Sequence, residues 1–518
     1  MTLSHAIAME PKWLYYLSLF SVFIGMIVYK LFSHTKTTKS SKLPPSPPGS
    51  RLFFGHLHLL ENPLHRTLDK LAQKHGPIFS LRLGSRLAVV ASSPSAIEEC
   101  FTKNDANFAN RPHMTLHRHM GYNYTALVSA NYGDHWRNLR RLCSVEIFSP
   151  GRLNMFLSIR EEEIKNLLSG LYKTCTSASG GFTRVELRWK LCELTFNNIT
   201  RMVAAKRYYG EVGVEDKEEA KRFQQLISSA FKLSGAANAG DYLPFLRWID
   251  YKGIEKNMSI IMKKLDTFLQ GLVNERRQCK SNDTMIDHLL LLQESQPESY
   301  TDDTIKGLVL NTLIGGTNTS ETTIEWAMSL LVNHPEVMQK ARDEIETQVG
   351  FERLVKEEDL SKLPYLKCIV SETFRMFPPL PLVLPHESSQ DCKLGGYDVP
   401  RGTIILANAW AVHRDPKVWD EPNCFMPERF DGGLKEIEGQ KLLPFGMGRR
   451  VCPGAGLGQC VVGSVLGSLI QCFEWERVTA EKVDLIEGTG LAMPRANPLV
   501  VMCKPRQVMD KVFQNLTI

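Results

Sequence analysis

Phe445-Gly446-Met447-Gly448-Arg449-Arg450-Val451-Cys452-Pro453-Gly454 is the stretch on which the reading of this 518-residue chain turns. Glycine-rich backbone can turn tightly and approach a flat ligand closely, and Arg450 sets a fixed charge near the single cysteine. A thiolate held by backbone N–H groups in such a loop is a strongly electron-donating ligand, and Phe445 is placed to wall it off from water. The apolar, small-residue run Gly456 to Ile470 predicts a helix starting just past the loop, whose N-terminal dipole favours an anionic sulfur. Gly446-Met447-Gly448 also begins like a dinucleotide fingerprint. The third glycine is missing and no strand–helix alternation surrounds it, so a nucleotide-binding reading is rejected.

Around this loop the chain is 43% hydrophobic and 23% charged, enough for a sizeable core, which excludes a disordered, collagenous or disulfide-stapled protein. The length allows two to four domains or one large one. The formal charge of +6 is mostly local: Lys30, Lys36, Lys39, Lys42 and Arg51 fall in one acid-free stretch, leaving the remainder close to neutral with no nucleic-acid footprint. The 12 cysteines form no Cys-x-x-Cys pair and no zinc-finger spacing, so apart from Cys452 they read as small buried hydrophobes or inert thiols.

Trp13 to Tyr29 carries no charge, and at about 1.5 Å per residue a twenty-residue helix crosses roughly 30 Å, one bilayer core. Ser33-His34-Thr35-Lys36 follows instead of a small-x-small cleavage site, so residues 1–32 read as a retained anchor. The basic flank places everything downstream in the cytosol, which would leave Asn123, Asn198, Asn257 and Asn282 as chance glycosylation sequons. Residues 33–51 form a basic, Pro-rich linker whose four prolines in Leu43-Pro-Pro-Ser-Pro-Pro-Gly-Ser-Arg51 impose extended backbone. Residues 52–518 are then the main domain: a short hairpin over Ile78 to Val90, helical periodicity over most of 130–350, and extended structure again from Pro378 to Pro385 and Leu394 to Leu406. The expected fold class is mainly α with a small β-rich part.

The decapeptide resembles the haem-binding loop of the cytochrome P-450 family at every specified position. That resemblance implies Cys452 as the axial thiolate on haem iron, with Phe445 and Arg450 beside the haem. Three further motifs occur in the family's order. Glu372-Thr-Phe-Arg375 resembles its Glu-x-x-Arg element, and Phe425-Met-Pro-Glu-Arg429-Phe430 its Pro-Glu-Arg-Phe segment. The resemblance implies that Glu372, Arg375 and Arg429 lock the haem loop. Trp136-Arg-Asn-Leu-Arg140 matches the pair that contacts haem propionates, and His386 stands at another propionate position. The implied fold is the cytochrome P-450 fold, and the implied cofactor is haem b, reduced by NADPH indirectly through a reductase.

Asp303 to Val332 predicts one long helix containing Gly315-Gly316-Thr317-Asn318-Thr319-Ser320. This resembles the family element where the helix opens to receive dioxygen, Thr319 helping to deliver the protons that cleave it. Asn318 stands where the family has an acid. An amide cannot relay a proton as a carboxylate does, so delivery would run through water or another group, unless Asn318 merely hydrogen-bonds in the acid's place.

Lys206-Arg-Tyr-Tyr-Gly210, Pro385-His-Glu-Ser388 and Gln471-Cys-Phe-Glu-Trp475 resemble the plant microsomal group containing isoflavone hydroxylases, lignan methylenedioxy-bridge enzymes and terpenoid oxidases. This implies a monooxygenase of the endoplasmic-reticulum membrane acting with O2 on a small hydrophobic metabolite, in contact with membrane lipid. Its pocket would be lined from 107–130, 231–239, 308–319, 380–384 and 489–491. A membrane-bound NADPH-cytochrome P-450 reductase would dock near Arg137, Arg141 and Arg449. Oxidative ring closure by the same chemistry, a reductase-independent isomerase or dehydratase, and a non-catalytic haem sensor or scaffold are the competing readings.

Overall fold

The computed structural model describes residues 11–33, 42–177, 181–210, 217–234, 238–279, 283–432, 441–490 and 492–517. Lys36, Lys39, Asn282, residues 235–237 and Leu491, all named above, lie outside them. α1 (Pro11–Ser33) leads, with Tyr15, Tyr16, Phe20, Val22 and Phe23 exposed. α2 (Asp134–Leu142) places Asp134 in its first turn and Arg140 and Arg141 in its last, matching the helix dipole, and buries Trp136, Leu139 and Leu142 at three-residue spacing. α3 (Leu187–Ala204) ends on Ala205 in the left-handed conformation, and α4 spans Ile254–Cys279.

α5 (Asp302–Asn333) is the long helix foreseen for 303–332. Thr301 caps it by accepting from Thr304 N–H, Asp302 and Asp303 favour its positive end, and Pro335 follows its last turn. At about 1.5 Å per residue its 32 residues extend roughly 48 Å. α6 (Pro364–Met376) starts on a proline, its first free N–H groups at Tyr365 and Leu366 accepted by the Glu344 carboxylate. α7 (Ala455–Cys472) begins right after the cysteine loop. Its composition would let it cross a membrane, but it is mostly buried, with Gly463 and Gly467 allowing Leu360, Val355 and Leu366 to close on it. It is a core helix.

Short strands complete the body among the described residues: β1 (Ile78–Leu83), β2 (Arg86–Ala91), β3 (Thr183–Glu186), β4 (His386–Glu387), β5 (Cys392–Leu394), β6 (Tyr397–Val399), β7 (Ile404–Ala407), β8 (Phe473–Arg477) and β9 (Val500–Pro505). One sheet has the order β1-β2-β7-β4, with β2 and β7 parallel; a second has β3-β9-β8; β5 and β6 pair as a hairpin. The main core is helical, with α5 packed against α3, α6 and α7 and Trp326 stacked 3.9 Å from Phe377.

The Pro-rich stretch is not a free spacer. The Ser80 hydroxyl donates to Pro44 O, Ser80 N–H to Pro45 O, and the His56 ring to Pro47 O, while Lys42 pairs its backbone with Asp398. Prolines lack N–H donors but keep carbonyls, and those carbonyls tie residues 42–47 to the sheet.

Candidate active site

A cavity of about 280 Å³ lies between α5 and the cysteine loop. The loop contributes Phe445, Gly446, Met447 and Cys452; α5 contributes Leu308, Asn311, Thr312, Gly315, Gly316, Thr319, Ser320 and Thr323. Leu127, Val128, Leu380, Val383 and Leu384 make the remaining lining largely apolar.

Local backbone geometry explains the loop. Gly448 has φ +73°, and a Cβ there would lie 2.7 Å from Phe101 O and 2.6 Å from Asp105 Oδ1, so only glycine fits. Cys452 N–H donates to Phe445 O at 2.9 Å, folding the loop back on itself, and Phe445 packs edge-on to Phe374. Burial raises the Cys452 thiol pKa, against the pull of Gly454 N–H and the Arg140 charge. Cys452 has the accessible surface of an exposed residue although protein surrounds it, because the surface it offers belongs to the cavity.

Four cationic or donor side chains gather at one edge. Arg450 donates to Ala109 O, Leu127 O and Ala130 O and stacks 4.5 Å over Trp136, which donates to Leu127 O at 3.2 Å. Arg140 donates to Val451 O at 2.6 Å, and Arg111 to Leu384 O, Pro385 O and Val128 O. These arginines have carbonyl partners here, and their enclosure shows in their acidity. Burial, then Arg111 and Arg140, holds Arg450 down to about 8, and burial alone holds Arg111 down to about 10. The nearby acid, Asp105, is bound to Arg449. Enclosed cations so poorly neutralised call for an anion, and haem brings two carboxylates; with a thiol in the same cavity, the residues fit that cofactor.

His386 lines the cavity as well. Its Nδ1 faces Phe108 O at 2.6 Å and must donate, which leaves Nε2 as an acceptor; burial and Arg111 keep the ring neutral, well below the ordinary value. A carboxylate arriving at Nε2 would have to bring a proton with it.

Behind the loop, Arg375 donates to Glu372 through Nε at 2.6 Å and Nη2 at 2.8 Å, both side chains without solvent exposure, and Arg429 Nε reaches Glu372 at 3.1 Å. Arg375 also donates to His413 O, Pro422 O and Cys424 O. The His413 ring accepts from Leu443 N–H at 2.8 Å, so the network reaches the start of the cysteine loop. Its ring is held down to about 3 by burial and by Arg414 and Arg375, which keeps it a neutral acceptor.

Trp136, Arg140, Thr319, His386, Phe445, Arg450 and Cys452 thus share one cavity, whereas Asn318 does not line it. α5 runs unbroken through Gly315 and Gly316, with Thr319 Oγ1 donating to Gly315 O at 2.7 Å, so the helix is closed where the resemblance has it open. Of the five expected lining segments, the described residues of 231–239 and 489–491 contribute nothing to the cavity. Phe231 packs on the main core, and Glu487, just before the second segment, is clamped by His65 at 3.0 Å and Arg66 at 2.7 Å. Arg137 is exposed and paired with Asp134, Arg141 is exposed, and Arg449 is half-buried and pairs with Asp105 at 2.8 Å. Arg111 and His413 were missed; Asn110-Arg111-Pro112, an arginine held in extended backbone by a proline, was the available signal for the first.

A helical body with a cysteine loop, an acid-poor arginine edge and an apolar cavity defines a haem-thiolate class of protein. A profile of that class, described as cytochrome P-450, matches residues 44–502, and the chain belongs to the cytochrome P-450 family. It is 55% identical to a (+)-piperitol/(+)-sesamin synthase of Sesamum radiatum, over 98% of this chain and 100% of that protein. It is 51% identical to an isoflavone 3′-hydroxylase of Medicago truncatula, over 96% and 99% respectively. A solved zebra fish cytochrome P-450 with progesterone superposes with a TM-score of 0.75 at 26% identity, covering 86% of this chain and 100% of that one. The protein is a haem-thiolate monooxygenase with haem b as cofactor.

Proposed function

We propose that this enzyme hydroxylates a small hydrophobic plant phenolic of isoflavonoid or lignan type, using O2 and electrons passed from NADPH by a membrane-bound reductase. The observation that carries the reading is one cavity in which the Cys452 thiol, the Thr319 hydroxyl and a largely apolar lining meet. The relatives that act on isoflavones and lignans, at 51% and 55% identity over nearly the whole chain, support the substrate class. Ring closure to a methylenedioxy bridge is the second reading, favoured by the sesamin synthase likeness.

Cys452 would ligate the haem iron, and Arg111, Trp136, Arg140, His386 and Arg450 would hold the haem carboxylates. Bound there, haem supplies the iron at which dioxygen is activated, with electron density pushed from the thiolate. Gly454 N–H and the Arg140 charge temper the sulfur, and Phe445 covers it. Thr319 holds and moves a proton at its Oγ1, which must first leave Gly315 O. The Glu372–Arg375–Arg429 network keeps the loop in register. Leu127, Val128, Leu380 and Leu384 orient the substrate by burying its apolar face and exclude water from it.

Residues 1–32 anchor the protein in the endoplasmic-reticulum membrane, 33–51 join the anchor to the body, and the catalytic body 52–518 faces the cytosol. The exposed apolar face of α1 supports this, as do Leu52, Phe53, Phe54, Phe245, Trp248 and Ile249, which are all exposed. Gly84 N–H donates to Phe54 O and Ser85 N–H to Tyr242 O, so one hairpin turn brings these two apolar tips together. The test is turnover of isoflavones and lignans in reductase-containing vesicles: product should require NADPH, O2 and reductase together. Product formed without reductase would overturn the reading.

A further inference from the structure

We propose that His386 and the haem carboxyl it meets share a proton taken up from solvent, which makes the grip of this edge on haem depend on pH. The inference rests on the haem-thiolate reading of the cavity.

His386 opens β4, whose backbone is fixed on both sides: His386 pairs with Ile405 of β7, and Glu387 N–H donates to Asn110 O at 2.9 Å. Alternation along the strand turns the His386 ring to one face and the Glu387 side chain to the other. The ring is 2% exposed, lies 4.8 Å from the Phe101 ring and lines the cavity. A carbonyl oxygen only accepts, so the 2.6 Å contact between Nδ1 and Phe108 O fixes the ring proton on Nδ1. Nε2 keeps a lone pair, has no hydrogen-bond partner among the described residues and, unlike His413 Nδ1, is not sealed by protein.

The charges acting on the ring are cationic. Arg111 holds the two carbonyls just before His386, Leu384 O at 2.7 Å and Pro385 O at 2.8 Å, and Arg450 holds Ala109 O, next to Phe108. Both charges add to burial in keeping a proton off the ring. Of the nearby acids, Asp105 is bound to Arg449, and Glu387 lies in the fields of Arg86 and Arg401. Without haem the ring is neutral.

The same arginines draw in a haem carboxylate, which brings lone pairs and no donor. Against Nε2 it sets acceptor on acceptor, an arrangement that enclosure makes costly. One proton between them turns the clash into a hydrogen bond, whichever partner carries it. It comes from solvent as haem enters; no bond between heavy atoms changes and no electron moves. His386 is thus a positioning residue for the cofactor. The pair holds a proton that neither group holds alone near neutral pH, so its contribution is complete below the ordinary histidine value of 6.5 and is lost as pH rises through the pair's own value.

The test uses the full haem-loaded chain. The reduced carbon monoxide spectrum comes first, since absence of the thiolate-type band in the parent would sink the haem-thiolate reading itself. With that band present, the parent and His386→Asn, whose amide can donate to a carboxylate with no added proton, are unfolded in guanidinium at pH 7.5 in weak buffer containing a pH-indicating dye. Free carboxyls are ionised and unfolded histidine is mostly neutral there, and recapture of a proton by Cys452 is common to both chains, so the parent should release about one proton more per haem. Haem loss in mild denaturant should also quicken several-fold from about pH 6.5 to 9 in the parent and stay level in the variant. Equal proton release refutes the proposal; a water donating to both Nε2 and the carboxylate would give that result. If His386→Asn fails to load haem, His386→Gln supplies both readings, and a rate of haem loss from the parent that is flat in pH refutes the proposal without any variant.

Discussion

Replacing Glu372 by alanine removes the carboxylate shared by Arg375 and Arg429 while leaving Arg375 fastened to His413 O, Pro422 O and Cys424 O. Arg375 has no solvent exposure and the Arg429 side chain has 9%, so neither charge can escape to water without moving backbone. Breaking a buried ion pair on one side costs about 3–5 kcal/mol, against a total stability of roughly 5–15 kcal/mol for a folded domain. The folded-to-unfolded ratio should fall by about two to four orders of magnitude. Urea unfolding of the haem-loaded protein, followed by helical signal and by the haem band, should show a lower midpoint and loss of the haem band before the helical signal. Glu372→Gln, which keeps acceptor geometry on one oxygen but not the charge, should fall between parent and alanine. A loss below about 1 kcal/mol in Glu372→Ala, the scale of a solvated surface pair, would refute the reasoning.

Two titrations give opposite pH trends. His413 is held down to about 3 from an ordinary 6.5, so its contribution to stability is complete above 6.5 and is lost as pH falls toward 3; His413→Asn, which can still accept from Leu443 N–H, should flatten that acid limb in thermal melts between pH 7 and 4. Glu321 on α5 is pushed up to about 8 from 4.5 by burial and by Glu325, against Arg188, so its contribution is complete below 4.5 and is lost as pH rises through 8; Glu321→Gln should melt higher than the parent at pH 8.5 or above and identically below 4.5.

What could be read from residues alone followed local pattern. The cysteine loop, the Glu-x-x-Arg and Pro-Glu-Arg-Phe segments and the spans of α5 and α7 carry their own spacing, and α5 differs from its expected bounds by one residue at each end. Arg111 and His413 sit in irregular or very short elements and acquire their roles only when distant carbonyls and N–H groups converge on them. Asn198 read only as a sequon, yet it lines the cavity where α3 meets α5, and Gly316 leaves room there for Ile199, a contact between positions more than one hundred residues apart. The same blindness put the described residues of 231–239 and 489–491 at the cavity, which they do not line. Apolar composition is common to core and pocket, and nothing local foretold that Glu487 would be pinned by His65 and Arg66. The Pro-rich stretch was legible as extended chain but not as chain docked on Ser80 and His56.

The central claim is that Cys452 ligates haem in the cavity it shares with Thr319. The carbon monoxide difference spectrum of the reduced full-length protein in vesicles, beside that of Cys452→Ser, tests it most directly. The parent should show the strongly red-shifted thiolate-type band and the serine variant should lack it. A histidine-type band in the folded parent, or survival of the thiolate-type band in Cys452→Ser, would contradict the account.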